Sequence, residues 1–165
     1  MAVSTISEIV IGTTSDLSGP AKELGALITK GEQMYIDHVN ATGGVHGRKI
    51  RLIVEDAQYN PQKTVVAVKK LIEKDKVFSL FAILGTSPTE AIRSMLVDNE
   101  IPLIAPESQS GTMSDLSRPG SKYIFSTEVG YDRQGRIMVD WIMEQNPNAK
   151  IGIIYQDDDL SLIHI

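Results

Sequence analysis

The sequence predicts an α/β fold in which helices cover both faces of a parallel, doubly wound sheet. Two observations lead to this fold class. Short apolar runs rich in β-branched residues alternate along the 165 residues with segments whose apolar side chains recur at helical spacing. The connections are short, and this alternation is typical of parallel strands joined by right-handed helical crossovers. We therefore predict that the first four strands are arranged in the order 2-1-3-4.

Six strands are predicted from apolar runs that stop at polar residues. The first run, EIVIGTTSD, becomes polar at Thr13, and the last, KIGIIYQDDD, ends in three acids. The predicted strands are residues 8–13, 48–56, 77–84, 101–106, 122–127 and 150–159.

Four helices are predicted between these strands from apolar residues repeating every three or four positions. They lie within residues 20–40, 61–75, 85–100 and 132–146. In the third of these segments a polar turn precedes the helix, and Ser87 is the candidate cap in front of Pro88. The sequence NATGG ends the first helix, because Gly43 or Gly44 can take the left-handed conformation that caps a helix C-terminus.

Composition argues against several classes of protein. The net charge is −5 and the 16 Lys and Arg residues are scattered, whereas a nucleic-acid-binding protein needs a basic face. The chain has no cysteine, which excludes disulfides and thiolate chemistry. No run approaches the roughly 20 apolar residues of a membrane span, so we expect no direct membrane insertion.

The N-terminal sequence MAVSTISEIVIG lacks the basic start and the apolar run of a secretory signal. We accordingly expect either a cytoplasmic chain or one whose export signal has been removed or is not included.

The sequence motifs of the common enzyme classes do not occur in this chain. There is no glycine-rich nucleotide-binding fingerprint, no P-loop, no G-x-S-x-G elbow and no cysteine nucleophile. The histidines at 38, 46 and 164 share no ligand spacing, so no zinc site is predicted. Asp56 ends a strand as a phospho-acceptor aspartate does, but the first strand lacks the acidic cluster that would hold the metal. We interpret Asp56 as a solvated or capping residue, and we predict no catalysis and no cofactor.

Hydroxyl-bearing loops follow three of the predicted strands. They contain Thr13 to Ser15, Thr86 with Ser87, and Ser108 with Ser110. Parallel strands bring their carboxyl ends to one edge of the sheet, where hydroxyl and free backbone N–H groups can receive a small carboxylate or amide. Serine and threonine also cap helices and fill turns, which is the favoured interpretation for any single loop. The convergence of three such loops favours a ligand site.

Several blocks of the chain resemble a known family. They are IVIGTTSDLSGPAKELG, HVNATGGVHGRKIRLIVEDAQYNPQKTVVAVKKLI, LGTSPTEAI, IPLIAP and YIFSTEVGYDRQGR. They look like successive blocks of periplasmic solute-binding proteins of the leucine/isoleucine/valine-binding type. These type I binding proteins serve ABC importers. The resemblance extends from about residue 8 to residue 160, and its most specific part is N-x-x-G-G-V-x-G-R followed by D-x-x-x-x-P.

The resemblance implies two α/β lobes that close on a ligand. Residues 1–121 would form a Rossmann-like first lobe that lacks its C-terminal return segment, and residues 122–160 would begin the second lobe. The final LSLIHI departs from the family pattern, so we expect residues 161–165 to be a non-native tail.

The resemblance also implies ligand contacts at Leu24, Thr86, Ser87, Glu107 and Gln109. The hydroxyl and backbone donors of Thr86 and Ser87 would meet a ligand carboxylate. Glu107 would suit an amine or amide if it faces the cleft, although it could equally point to solvent. Leu24 would make the pocket aliphatic where some relatives place an aromatic ring.

The function implied is that of an N-terminal fragment of a solute receptor. The full-length protein would be periplasmic or extracellular and membrane-associated, and it would deliver an amino acid or a related carboxylate or amide to the permease of an ABC importer. The alternative is a cytoplasmic small-ligand sensor of the same fold that controls a regulator.

Overall fold

The computed structural model describes residues 8–154 and shows a five-stranded parallel sheet in the order β2-β1-β3-β4-β5. The strands are β1 Glu8–Ser15, β2 Lys49–Asp56, β3 Ser79–Phe81, β4 Leu103–Ile104 and β5 Ile124–Phe125. Every neighbouring pair is parallel, and β1 pairs with β2 in continuous register from Glu8↔Lys49 to Ser15↔Asp56. The predicted order 2-1-3-4 is confirmed.

The helices are α1 Lys22–Ala41, α2 Pro61–Glu73, α3 Thr86–Ala91, α4 Arg93–Asp98, α5 Gly111–Ser114 and α6 Tyr131–Gln145, and a single 3-10 turn covers Ser121–Tyr123. The chain moves from β1 to β2 in one direction along the sheet and from β2 to β3 and β4 in the other. Since parallel crossovers are right-handed, α1 covers one face and α2 to α4 cover the opposite face.

The third and fourth strands are shorter than predicted. Ala82 directly follows β3 and Ala105 directly follows β4, and these two residues have left-handed φ angles of 46° and 50°. That conformation interrupts the extended backbone, which the apolar runs alone could not indicate.

The predicted third helix is wrong in two respects. It is split at Ile92 into α3 and α4, and Gly85 rather than Ser87 is the residue before its first turn. Gly85 has a φ of 104°, and a Cβ there would lie 2.6 Å from the Tyr59 ring. The split allows both Ile92 and Arg93 to be buried, which a straight helix with one apolar stripe does not favour.

The predicted glycine connection between α1 and β2 is present, and Asn40, for which no role was predicted, supports it with two hydrogen bonds. The Asn40 side chain donates to the Ile50 carbonyl at 2.8 Å and accepts from the Ile50 N–H at 2.7 Å. Gly43 and Gly44 follow with φ angles of 109° and 72°. A Cβ on Gly44 would lie only 2.2 Å from the Arg48 carbonyl oxygen, so the chain can reverse here only with glycine.

The hydrophobic core lies between the sheet and helices α2 to α4. Its buried members are Val68, Leu71, Val77, Leu80, Ile83, Ile92, Leu96, Ile101, Leu103, Met113 and Ile124. By contrast, α6 has no buried residue, and Trp141 on it is 62% exposed.

The predicted sixth strand is wrong over residues 150–154, which form no strand and are exposed. No strand in the described part of the chain lies beside them to pair with their backbone groups. Residues 155–159 of that prediction, and the predicted tail 161–165, lie outside the described residues. β5 pairs with β4 and so extends the first sheet; the lobe boundary after residue 121 stays a prediction.

Candidate functional site

The carboxyl ends of β1, β3 and β4 meet at one edge, where backbone hydrogen bonds join the end of β1 to the loop after β3 and that loop to the loop after β4. The Leu84 N–H donates to the Thr14 carbonyl at 3.2 Å. The Gly85 N–H donates to the Glu107 carbonyl at 3.2 Å, and the Glu107 N–H donates to the Ile83 carbonyl at 3.0 Å. The three hydroxyl-bearing segments are therefore adjacent, as their positions along parallel strands predict. The first of them is not the predicted loop, however, because Thr13 to Ser15 are the last residues of β1.

The hydroxyl groups of Thr13, Ser15, Thr86 and Ser108 at this edge are buried and bonded within the protein. Thr13 donates to the Ala82 carbonyl at 3.3 Å, and Ser15 donates to the Gly25 carbonyl at 3.2 Å. The hydroxyl oxygens of Thr86 and Ser108 lie 2.7 Å apart. These groups satisfy buried backbone acceptors and tie one loop to the next, so their observed role is to hold the edge together.

Four of the five predicted contact residues lie on two adjacent segments at this edge, the start of α3 and the loop after β4. Thr86 and Ser87 form the first turn of α3, where Thr86 is buried and Ser87 is partly buried. Glu107 is partly buried beside Gly85. Gln109, only 5% exposed, follows Ser108. Leu24 belongs to a different element, the first turn of α1, where it is 54% exposed.

Gln109 has an unsatisfied acceptor. Its Nε2 donates weakly to the Pro106 carbonyl at 3.5 Å, while its buried Oε1 has no hydrogen-bond partner among the described residues. Its backbone carbonyl accepts from the Tyr131 N–H at 2.8 Å and so connects this loop to the start of α6. A buried acceptor without a partner is unfavourable, and a donor that reached it would stabilise the site.

Carboxylates make this region electronegative. Burial, and then the neighbouring charge of Glu128, raises the pKa of Glu107 above its usual value. Burial, and then the charge of Glu107, raises the pKa of Glu32 to about 7. Both carboxylate oxygens of Glu32 are enclosed and accept no hydrogen bond from the part of the chain that the structure describes.

The sequence analysis missed Glu32, although a signal was present. Glu32 lies four residues from both Ile28 and Ile36, on the stripe of α1 that faces the sheet. An acid in the middle of such a stripe is unusual, because a charged group is rarely buried without a partner.

The loop before α1 depends on Asp16, which is fully buried. Its carboxylate accepts from the N–H groups of Gly19 at 2.5 Å and Ala21 at 2.6 Å. A Cβ on Gly25 would lie 2.1 Å from the Asp16 carbonyl oxygen, so α1 packs directly on this loop. Asp16 therefore fixes the turn that carries Leu24, a role that the sequence analysis did not predict.

Asp56 has the capping role that the sequence predicts. Its carboxylate accepts from the Ser18 hydroxyl at 2.5 Å and from the N–H groups of Leu17 at 2.9 Å and Gln58 at 3.1 Å. The Ser18 bond is the main reason why the pKa of Asp56 is below its usual value. Asp56 also borders a cavity of about 380 Å³ between β2 and α2, which contains none of the five predicted contacts.

Within residues 8–154, no group of three or more His, Cys, Asp or Glu residues is placed to hold a metal ion. None of the helices in this range has the length and apolar character that crossing a membrane requires.

Loops that converge at the carboxyl edge of a parallel sheet define an α/β domain of the kind that binds small ligands. The model of the periplasmic binding protein family matches residues 8–162, and the chain belongs to this family. The predicted family and fold class are thereby confirmed.

Several proteins similar to the chain are named as binding proteins. The chain is 23% identical over 154 residues to Leu/Ile/Val-binding protein homolog 3 of Brucella melitensis. The aligned region covers 93% of this chain and 41% of that protein. A possible leucine/isoleucine/valine-binding protein from Rhodopirellula baltica superposes with a TM-score of 0.87 at 20% identity, over 99% of this chain and 44% of that one.

A fatty acid ABC transporter substrate-binding protein from Thermomonospora curvata superposes with a TM-score of 0.81 at 30% identity, over 97% of this chain and 40% of that one. The chain thus spans about two fifths of the length of these relatives.

Proposed function

We propose that this chain supplies the first lobe of an extracytoplasmic receptor that delivers an amino-acid-like solute to the permease of an ABC importer. The observation that carries the proposal is the family match over residues 8–162. It is supported by loops that converge at the carboxyl edge of a parallel sheet, where open α/β sheets bind ligands. Relatives named as leucine/isoleucine/valine-binding proteins support the solute class. The function is binding without catalysis, and the partners are the solute and the membrane permease.

The proposed solute contacts are the five residues implied by the resemblance. The start of α3 at Thr86 and Ser87 would meet one polar end of the solute. Glu107 and the unpaired Oε1 of Gln109 would accept hydrogen bonds from an amine or amide, and Leu24 would contact its apolar part. The carboxylates of Glu32, Glu107 and Glu128 favour a group with positive or donor character over a second anion at this end.

A fatty acid is the solute named for one related structure. A carboxylate and a buried amide oxygen are poor neighbours for an alkyl chain, because burying such groups against hydrocarbon without hydrogen bonds is unfavourable. The polar edge therefore favours the amino-acid-like solute.

The proposal is tested by NMR titration of the labelled chain with L-leucine, L-glutamine and octanoate. We expect shifts at residues 85–87 and 107–110 with an amino acid, at millimolar or weaker affinity, because a single lobe leaves the solute open to water. The double variant Thr86→Ala, Ser87→Ala should weaken the response. Thr42→Ala, which removes an exposed hydroxyl at the far end of α1, is the matched control.

Octanoate shifts without amino-acid shifts would contradict the solute class, and an unaffected double variant would show that the contacts lie elsewhere. An export signal encoded upstream of Met1 would support the extracytoplasmic location over the cytoplasmic sensor.

A further inference from the structure

The junction between α3 and α4 contains a buried arginine that holds a distant loop. Arg93, 7% exposed, places its guanidinium between α3 and the polar segment 112–121. Nη1 donates to the Pro119 carbonyl at 3.1 Å and to the Ser121 hydroxyl at 3.0 Å, and Nη2 donates to the Thr112 carbonyl. One side chain thus contacts both the beginning and the end of this segment.

Glu90 completes the arrangement. It pairs with Arg93 through two bonds of 2.8 and 3.1 Å, and it accepts from the Thr112 hydroxyl at 2.6 Å and from Arg118 at 3.0 Å. Burial alone would raise the pKa of Glu90, but the bonds from Arg93 and Thr112 and the charges of Arg93 and Arg118 keep it below its usual value. The carboxylate is therefore ionised and the pair is fully charged.

The backbone also approaches Arg93 closely. Gly120 has a φ of 81°, and a Cβ there would lie 2.9 Å from the Arg93 carbonyl oxygen. In segment 111–121 Met113 is the one apolar side chain in the core, so polar contacts supply most of what holds this segment.

The same helix holds the first part of the loop. Thr86 lies one turn before Glu90 on α3, and its hydroxyl is bonded to Ser108, which is placed between Glu107 and Gln109. The α3–α4 unit therefore fixes residues 107–121 at three points, Ser108, Thr112 and residues 119–121. The planar guanidinium is suited to this role, because its donors have a fixed geometry that a lysine ammonium lacks.

We propose that Arg93 is the positioning residue of the loop 107–121 and that, through this loop, it sets the place of Glu107 and Gln109 at the solute edge. The second half of this inference rests on the proposed function. Arg93 itself does not contact the solute. A buried ion pair is a weak source of net stability, so its role here is to select one loop conformation.

The test is hydrogen–deuterium exchange of the whole chain, compared with its denaturant unfolding. In Arg93→Met the amides of residues 107–121 should exchange at least about tenfold faster, while β1 and α2 change no more than the global stability does. Arg93→Lys keeps the charge but cannot reach acceptors on both sides, so it should give a smaller acceleration at the same amides. Arg51→Met is the control, since Arg51 is half-exposed and pairs with Glu8 at the sheet edge.

If amide exchange in Arg93→Met were accelerated equally in all elements, Arg93 would have only a general stabilising role and the proposal would be overturned. Exchange rates in residues 107–121 equal to those of the wild type would overturn it as well. If Arg93→Met does not fold, Arg93→Lys carries the comparison. The amino-acid titration distinguishes a failure of the positioning role of Arg93 from a failure of the proposed function. A loosened loop in a chain that never responds to amino acids refutes the proposed function alone, whereas an unchanged loop in a responding chain refutes the positioning role alone.

Discussion

Replacing Glu32 by glutamine should stabilise the protein at alkaline pH. Burial and the charge of Glu107 raise the pKa of Glu32 from 4.5 to about 7, so the folded state binds this proton more tightly than the unfolded state does. For an acid with a raised pKa, no penalty exists below the unfolded value of 4.5. Stability is then lost as the pH rises from 4.5 to about 7, and above that the loss is complete.

The magnitude follows from the same difference. At 1.36 kcal/mol per pH unit the interval corresponds to about 3.4 kcal/mol. The carboxylate oxygens are enclosed, but Glu32 as a whole is only partly buried, and screening by the nearby solvent reduces the expected effect to about 1–2 kcal/mol. Glu32→Gln removes the charge while keeping the shape, so its unfolding free energy at pH 8 should exceed the wild-type value by that amount.

Urea unfolding followed by far-UV circular dichroism between pH 4 and pH 8 measures this difference. At pH 4 the two proteins should have nearly equal stability, and the curves should separate between pH 5 and pH 7. Glu23→Gln is the matched control, because Glu23 lies exposed in the first turn of the same helix and should give no gain at pH 8. Equal stability of Glu32→Gln and wild type at pH 8 would refute the reasoning.

Three further predictions concern the α1–β2 connection and the exposed face of α6. Asn40→Ala should lower the free energy of unfolding by about 1–3 kcal/mol, because the N–H and carbonyl of Ile50 both lose a partner; a loss under 0.5 kcal/mol would contradict this. Gly44→Ala should destabilise by more than Gly43→Ala, since both have positive φ but an added Cβ clashes with backbone only at Gly44; equal losses in urea unfolding would contradict it. Trp141, 62% exposed, should show water-exposed fluorescence at low micromolar concentration and a blue shift as concentration rises, because the apolar side chains around it invite association. A spectrum that is blue-shifted and independent of concentration would show that the face is already covered.

The sheet order was predictable because two general constraints act together. The periodicity of apolar residues distinguishes strands from helices, and right-handed crossovers leave few arrangements for four parallel strands. The helix end and the reversal at Gly43 and Gly44 were predictable for a local reason, because glycine readily takes the left-handed conformation that such a cap needs. The Asn40 bonds to Ile50, which were not predicted, are also local, since the two residues are ten positions apart.

What the sequence did not reveal depends on contacts between distant residues. The split of the helix at Ile92 reflects the need to turn Arg93 toward Thr112 and Pro119, which lie about 20 or more residues later in the chain. The cap at Gly85 depends on the space taken by Tyr59. Periodicity within one segment contains no information about either contact.

At the candidate site, the location was predictable from the sequence, whereas the hydrogen bonding of the individual side chains was not. The hydroxyl groups predicted a ligand site at this edge, yet those of Thr13, Ser15 and Thr86 are bonded within the protein. The amide oxygen of Gln109 is a buried acceptor without a partner among the described residues, and Glu107, two positions earlier in the chain, places a partly buried carboxylate in the same loop. An unpaired buried acceptor costs about 1–3 kcal/mol, and that energy is recovered only by a ligand that brings a donor. We therefore expect selectivity in this lobe to depend on a donor group of the solute at Glu107 and Gln109.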